Sequence, residues 1–438
     1  MGPHQKGTFV IQGLSGERTL TGDIEVAGAK NAVLKALAAA PLFDGKIEYK
    51  RVPNIEDVSR VVELLEKLGA TVVRDEATAS VDANTLNSYE FDRVLAKRMR
   101  ASVVLTGPIL ARFGSVSFPY PGGCVIGTRP VDLFIEGYQK MGASVAEEDE
   151  RFIITAKDGK LKGAEIFFRV QSVTATETFM MTATLAEGTT VLKNCAMEPE
   201  IKHLAEFLNE SGAKISGAGT PTITIVGGDR LKAKKPYETM ADRIEAGSFI
   251  LLAAIAAKDV LIKGCEPLHI ESLIESLRYV GVPLEVGRDY IRVTAPKKGT
   301  YFKPLSLRTH EYPGFPTDLQ APMTIFLTQS EGESTLFETI FEGRLSYTQD
   351  LVRMGADIKM YDSQHAIIKG PTPLRGKELE GPDLRAGLAY VIAGIIAEGE
   401  TKVANAYNID RGYERIEDRL SGIGVPITRV MEVCEPTG

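Results

Sequence analysis

Cys124 lies between the pair Gly122-Gly123 and Gly127, and five residues beyond it Arg129-Pro130 opens a run containing Val131, Leu133, Ile135 and Tyr138. A proline at a first helical position with apolar residues behind it predicts a helix there. The N–H groups at the start of that helix and the Arg129 guanidinium would draw an anion, and the same field favours a thiolate over a thiol. Cys124 is therefore a candidate reactive thiol beside an anion site. On the local pattern alone, an inert loop cysteine is an equal reading.

Other polar residues stand out by their register. Lys30-Asn31, Arg100, Ser172, Asp242, Asp318 and Arg385 fall just before or at strongly apolar helical runs, while Arg129, Arg344 and Arg411 precede amphipathic ones. Helices that start in the same direction bring their positive poles and these side chains to one face of a domain, where phosphate or carboxylate groups would bind. A lone arginine is more often a solvated surface charge. Recurrence at one register is harder to explain that way. Asp318 could accept a proton, although an aspartate at a helix start is more commonly a cap.

The elements that must position these residues repeat. Leu-Gly-Ala-Thr-Val at 68–72 returns as Met-Gly-Ala-Ser-Val at 141–145, Ser-Gly-Ala-Lys-Ile at 211–215, Val-Gly-Val-Pro-Leu at 280–284, Met-Gly-Ala-Asp-Ile at 354–358 and Ile-Gly-Val-Pro-Ile at 423–427, a spacing of about 70 residues. Each phrase follows an amphipathic helix such as 58–68 and is preceded by a more uniformly apolar helix and a strand, as at 249–257 and 260–262. Helices apolar all round are buried ones. Each unit reads β-α-β-α-β-β, an α/β fold. The sixth unit stops one strand short, and Thr8–Gly13 resembles the strand Ala366–Gly370 of the fifth, which predicts that the N-terminal segment completes the last unit. Three units per domain place one domain at 31–238 and the other at 1–30 with 239–438, with a Lys-, Pro- and Tyr-rich linker at 232–239. Repeats that serve rigidity alone are the competing reading.

Composition sets the outer bounds. The 438 residues exceed one ordinary core, and 44% hydrophobic with 25% charged residues is the balance of a globular protein. The longest apolar runs, 249–257 and 388–397, are too short to span a bilayer, the N-terminus has no signal-peptide core, and the four cysteines show no metal or redox spacing. A reducing, cytoplasmic compartment is expected, with no membrane insertion. A net charge of −7 argues against a nucleic-acid partner, including an enzyme acting on nucleic-acid ends.

Taken together, Gly-Ala-Lys-Asn-Ala at 28–32, Met-Arg-Ala-Ser at 99–102, Pro-Gly-Gly-Cys at 121–124, Gly-Thr-Arg-Pro-Val-Asp-Leu at 127–133, Thr-Leu-Ala-Glu-Gly-Thr-Thr at 184–190, Glu-Pro-Glu-Ile at 198–201, Phe-Pro-Thr-Asp-Leu-Gln at 315–320, Asp-Leu-Arg-Ala at 383–386 and Ile-Asp-Arg-Gly-Tyr-Glu-Arg-Ile-Glu at 409–417 closely resemble the enolpyruvyl transferases. The Pro-Gly-Gly-Cys loop resembles the branch that acts on UDP-N-acetylglucosamine rather than the shikimate-pathway branch. That resemblance implies two inside-out, barrel-like α/β domains of three units each. It also implies transfer of the enolpyruvyl group of phosphoenolpyruvate to the sugar 3-hydroxyl, with release of phosphate, as the first committed step of peptidoglycan synthesis. No cofactor and no metal are implied; the partners are the two small-molecule substrates.

By the same resemblance Cys124 is the acid on the carbon side and Asp318 takes the hydroxyl proton, with Lys30 and Arg411 also catalytic. Lys30, Arg100, Arg129 and Arg411 match the positions holding the phosphate and phosphoenolpyruvate, and Arg344 and Arg385 suit its carboxylate. Asn31 faces the sugar, Asp132 and Leu133 fall at uridine-contacting positions, Pro130, Val131 and Ile340 at substrate-binding positions, and Ser172, Val173 and Thr174 receive the diphosphate. Glu198 and Glu200 also match, as pocket residues or structural pairs. Thr174 stands where the family usually has glycine, Val170 where a basic residue is frequent, Tyr312 where some members have histidine and Pro322 where a glutamine is common.

Overall fold

The computed structural model describes residues 7–98, 102–120 and 131–431. They form two compact units: an inserted unit of the described residues between Gly28 and Met240, and a terminal unit of those up to Ala27 and from Ala241 onward. Backbone hydrogen bonds place the crossings. Asp242 N–H donates to Ala27 O (3.0 Å) within the terminal unit, whereas Ala29 N–H donates to Met240 O (2.7 Å) within the inserted one. The crossings thus lie between Ala27 and Gly28 and between Met240 and Ala241, a few residues from the 30/31 and 238/239 read from sequence. Nor is the segment at 232–239 only a linker: Tyr237–Glu238 is a strand paired in parallel with Tyr49 and Lys50.

Among the described residues six sheets, three to a unit, repeat one order, in which a first strand runs parallel to the second and a closing pair adds antiparallel. In the terminal unit Leu20–Glu25 lies beside Ala257–Lys263, then Tyr290–Thr294 and Leu284–Val286. Ser306–Arg308, Gly332–Phe337, His365–Gly370 and Asp357–Met360 follow the same order. The third sheet is Glu378–Glu380, Glu400–Ala404, Gly7–Gln12 and Ile427–Met431, so the strand from the start of the chain fills the penultimate place. In the inserted unit the sheet of Ser115–Pro119, Arg151–Ala156 and Ala143–Glu148 has three full strands, and an isolated bridge from Glu90 to Ser117 marks the fourth place.

These sheets remain separate and none closes into a barrel among the described residues; in the terminal unit three sheets pack around a trio of helices, an α/β arrangement with the helices inside. Every residue of helices Arg243–Ala256, Gln320–Leu327 and Leu384–Ile396 is buried. Val103–Phe113 and Val173–Ala183, packed together, and Lys30–Ala38 play that part in the inserted unit. A helix without a polar face is stable only where protein surrounds it. In the terminal unit the charged residues of these helices, Arg243, Glu245 and Arg385, stand in the first turn. The glycine of the repeated phrase has a physical reason: Gly69, Gly142, Gly212, Gly281, Gly355 and Gly424 all have φ between 86° and 113°. Only glycine takes that conformation without strain, and it turns each amphipathic helix into its outgoing strand.

Candidate active site

Three central helices begin with an aspartate or serine that does what local chemistry predicts. Asp242 Oδ1 accepts from the N–H groups of Ile244 (2.9 Å) and Glu245 (3.0 Å). Asp383 Oδ1 accepts from those of Arg385 (2.7 Å) and Ala386 (3.1 Å), and Ser172 Oγ from Ala175 (3.2 Å). Such caps satisfy helix donors that would otherwise lack partners.

Asp318 departs from this pattern. It sits in the short turn Thr317–Leu319 ahead of helix Gln320–Leu327, neither of which has a side-chain cap. Its oxygens go to guanidinium groups: Oδ1 accepts from Arg344 Nη2 (2.7 Å), and Oδ2 from Arg385 Nε (3.1 Å), with Arg385 Nη2 also at 3.1 Å. The arginine side chains are 5% and 7% exposed, whereas that of Asp318 is 27% exposed, so the anion is the open edge of a buried cationic pair. Burial acts to raise the Asp318 pKa, but Arg385, Arg344 and Arg243 overcome it and hold the carboxyl well below its ordinary range. The capping reading of Asp318 is thereby replaced.

Each arginine has a second anchor. Arg385 Nη1 donates to Tyr413 Oη (2.8 Å), and Arg344 Nη1 donates to Thr317 Oγ1 (2.7 Å) while its guanidinium lies over the Phe341 ring at 5.2 Å. Arg411 is half-buried in the turn after helix Ala406–Asp410, and Ile340 N–H donates to Glu338 (2.8 Å). Tyr413, Thr317 and Glu338 escaped the sequence reading. Tyr413 and Thr317 lie inside quoted motifs, but nothing local marks either as a partner for an arginine.

In the inserted unit Lys30 Nζ pairs with Asp57 (2.7 Å), and Asn31 beside it is half-buried. One turn on, Lys35 Nζ donates to Asn31 O (2.8 Å) and stands 3.2 Å from Glu177 of helix Val173–Ala183. Glu177 is wholly buried; burial, with lesser contributions from Glu200 and Glu198, lifts its pKa to about 7 against the opposing pull of Lys35. Glu198 and Glu200 are themselves buried. Val173 and Thr174 are half-buried at that helix's start. Asp132 opens helix Asp132–Lys140, with Asp132 exposed and Val131 and Leu133 half-buried. Cys124, Arg100, Arg129 and Pro130 lie outside the described residues.

An ionised carboxylate fixed by two guanidinium forks can accept a proton or exchange places with another carboxylate, chemistry suited to small anionic substrates. No helix among the described residues is long and apolar enough to cross a membrane. The family pattern described as EPSP synthase (3-phosphoshikimate 1-carboxyvinyltransferase) matches residues 14–420. A UDP-N-acetylglucosamine 1-carboxyvinyltransferase of Desulforapulum autotrophicum is 42% identical over 95% of this chain and 99% of its own. One from Actinobacillus pleuropneumoniae serotype 5b is 45% identical over 94% and 97%. Among solved structures, the enolpyruvyl transferase NikO from Streptomyces tendae superposes with a TM-score of 0.86 at 22% identity over 98% of this chain and all of that one, a likeness of fold. Matched by the family pattern over most of its length and by relatives above 40% identity along nearly all of it, the chain belongs to the enolpyruvyl transferase family.

Proposed function

We propose that this protein transfers the enolpyruvyl group of phosphoenolpyruvate to the 3-hydroxyl of UDP-N-acetylglucosamine, releasing phosphate, as the first committed step of peptidoglycan synthesis. The observation that carries the reading is Asp318, a helix-start aspartate bound to two buried arginines instead of to its helix. The names of the relatives, UDP-N-acetylglucosamine 1-carboxyvinyltransferases, support the choice of sugar nucleotide as acceptor.

In the proposed reaction a proton reaches the methylene carbon of phosphoenolpyruvate and the neighbouring carbon becomes electrophilic. The sugar oxygen bonds to that carbon while its proton passes to Asp318. Loss of phosphate, with loss of one methyl proton, restores the double bond. Arg344 and Arg385 hold the substrate carboxylate, where planar forks outperform an ammonium. In their present pairing they also suppress the basicity of Asp318. A substrate carboxylate that takes over part of their N–H donors raises it, so the base is readied as the substrate binds. Lys30, Arg100, Arg129 and Arg411 are assigned to the phosphate and phosphoenolpyruvate, Asn31 to the sugar, Pro130, Val131, Asp132, Leu133 and Ile340 to the nucleotide, and Ser172, Val173 and Thr174 to the diphosphate. Cys124 supplies the proton on the carbon side and is the residue that the epoxide fosfomycin would alkylate.

Phosphate release from phosphoenolpyruvate tests the proposal. Release is expected with UDP-N-acetylglucosamine. The family description favours one rival acceptor, shikimate 3-phosphate, and turnover with that compound alone would overturn the assignment.

A further inference from the structure

Glu338 is wholly buried and accepts four hydrogen bonds. Its Oε1 takes Thr309 Oγ1 (3.0 Å), Ile340 N–H (2.8 Å) and Phe341 N–H (3.2 Å), and its Oε2 takes Thr317 Oγ1 (2.7 Å). A hydroxyl has one proton to give, so each threonine that donates to Glu338 must present its lone pairs elsewhere. Thr309 Oγ1 receives Thr339 N–H (2.9 Å), and Thr317 Oγ1 receives Arg344 Nη1 (2.7 Å). An acceptor-only carboxylate at this point fixes the direction of both relays. One relay ends on a guanidinium that grips Asp318, and the direct bonds hold the backbone of Ile340 and Phe341, whose ring lies under that guanidinium.

We infer that Glu338 is a positioning residue for both substrates: through the Thr317 hydroxyl it aims Arg344 at the substrate carboxylate, and through the backbone at 340–341 it shapes the nucleotide contact. The inference rests on the proposed reaction for its substrates. A glutamine at 338 keeps the shape but turns an N–H₂ toward groups that all donate, so one bond is lost and a relay reverses. Valine at 317 keeps the volume and removes the relay alone.

Steady-state kinetics on the full chain, with melting temperatures alongside, separate the possibilities. Glu338→Gln is expected to raise KM for both substrates, and Thr317→Val to raise it for phosphoenolpyruvate alone, each by about tenfold, the worth of one hydrogen bond to a charged group. Thr317→Ser, which retains the hydroxyl, should recover most of that loss. Unchanged KM values in Glu338→Gln and Thr317→Val, or equal losses in Thr317→Ser and Thr317→Val, would overturn the inference, as would a fall in melting temperature and kcat with no change in KM. Failure of the reaction assignment looks different: the unaltered protein would not release phosphate with UDP-N-acetylglucosamine.

Discussion

Asp318 in the terminal unit and Glu177 in the inserted unit both lie near the start of a central helix, and burial is the largest influence on each, yet their acidities move in opposite directions. Asp318 has two guanidinium groups bonded to it and a third nearby, so attraction exceeds the cost of removing the charge from water. Glu177 has one ammonium at 3.2 Å and two further carboxylates, Glu198 and Glu200, opposing its charge. The side chain of Asp318 keeps 27% of its surface exposed, while that of Glu177 keeps none. Depth of burial sets the cost of a charge; the number and geometry of its cations decide whether that cost is met. Asp318 is accordingly a pre-formed anion at an open edge, and Glu177 a group whose charge is conditional.

The sharpest way to break this contrast is to remove the Asp318 anion. Asp318→Asn should lower turnover by about 10³-fold if the carboxylate is the base, and should also lower the melting temperature because two buried guanidinium groups lose their counter-charge. An Asn variant with ordinary turnover ends the catalytic reading, whatever its stability.

Next in size is Arg385→Lys, which keeps the charge and removes the fork. Turnover should drop by about 10- to 100-fold, and the Asp318 carboxyl should titrate higher than in the unaltered protein, followed by carbon-detected NMR. An Asp318 titration that stays in place would mean that Arg344 suffices and that the two-fork explanation is wrong.

The Glu177 side of the comparison is tested by pH. Its folded pKa, about 7, lies above the ordinary unfolded value of about 4.3, so the native state holds the extra proton between them. Its contribution to stability is present below about pH 4.3 and is lost as pH rises through about 7. For Asp318, with a depressed pKa, the contribution is present above about pH 3.9 and is lost only as pH falls well below that. The melting temperature of Lys35→Met/Glu177→Gln should therefore rise relative to the unaltered protein as pH goes from about 4.3 to about 7, and the difference should level off above that. A constant difference across that range counts against a conditional charge at Glu177.

The smallest effect concerns burial with no cation bonded in compensation. Burial lifts the buried thiols of Cys195 and Cys265 to about 12 and about 11, so at neutral pH neither is a nucleophile. Intact-mass analysis and peptide mapping after fosfomycin treatment should show both unmodified and the adduct on Cys124. Adduct on either buried cysteine would contradict the burial argument and the catalytic assignment together.

Much of the fold was legible because its determinants are local. An amphipathic or wholly apolar helix, a strand and a glycine at positive φ each leave a mark within a few residues, and six repetitions made the marks unmistakable. The strand expected at Thr8–Gly13 is Gly7–Gln12, paired with Ile427–Met431. Tyr237–Glu238 was read as linker because two residues carry no periodicity, and only their pairing with Tyr49–Lys50 reveals a strand.

The candidate site divides along the same line. By itself the sequence determined the helix starts and the family motifs; the caps formed by Asp242, Asp383 and Ser172 are equally local, since a cap depends on N–H groups two or three residues away, but the one capping reading made from sequence was for Asp318, where the structure shows none. Tertiary structure alone decided that Asp318 would abandon its helix for Arg344 and Arg385, partners 26 and 67 residues distant, and that Glu177 would meet Lys35 in a dry interior. The reason is electrostatic: a carboxylate bonds to whichever donors the fold brings nearest, and in a buried site a guanidinium outcompetes a backbone amide.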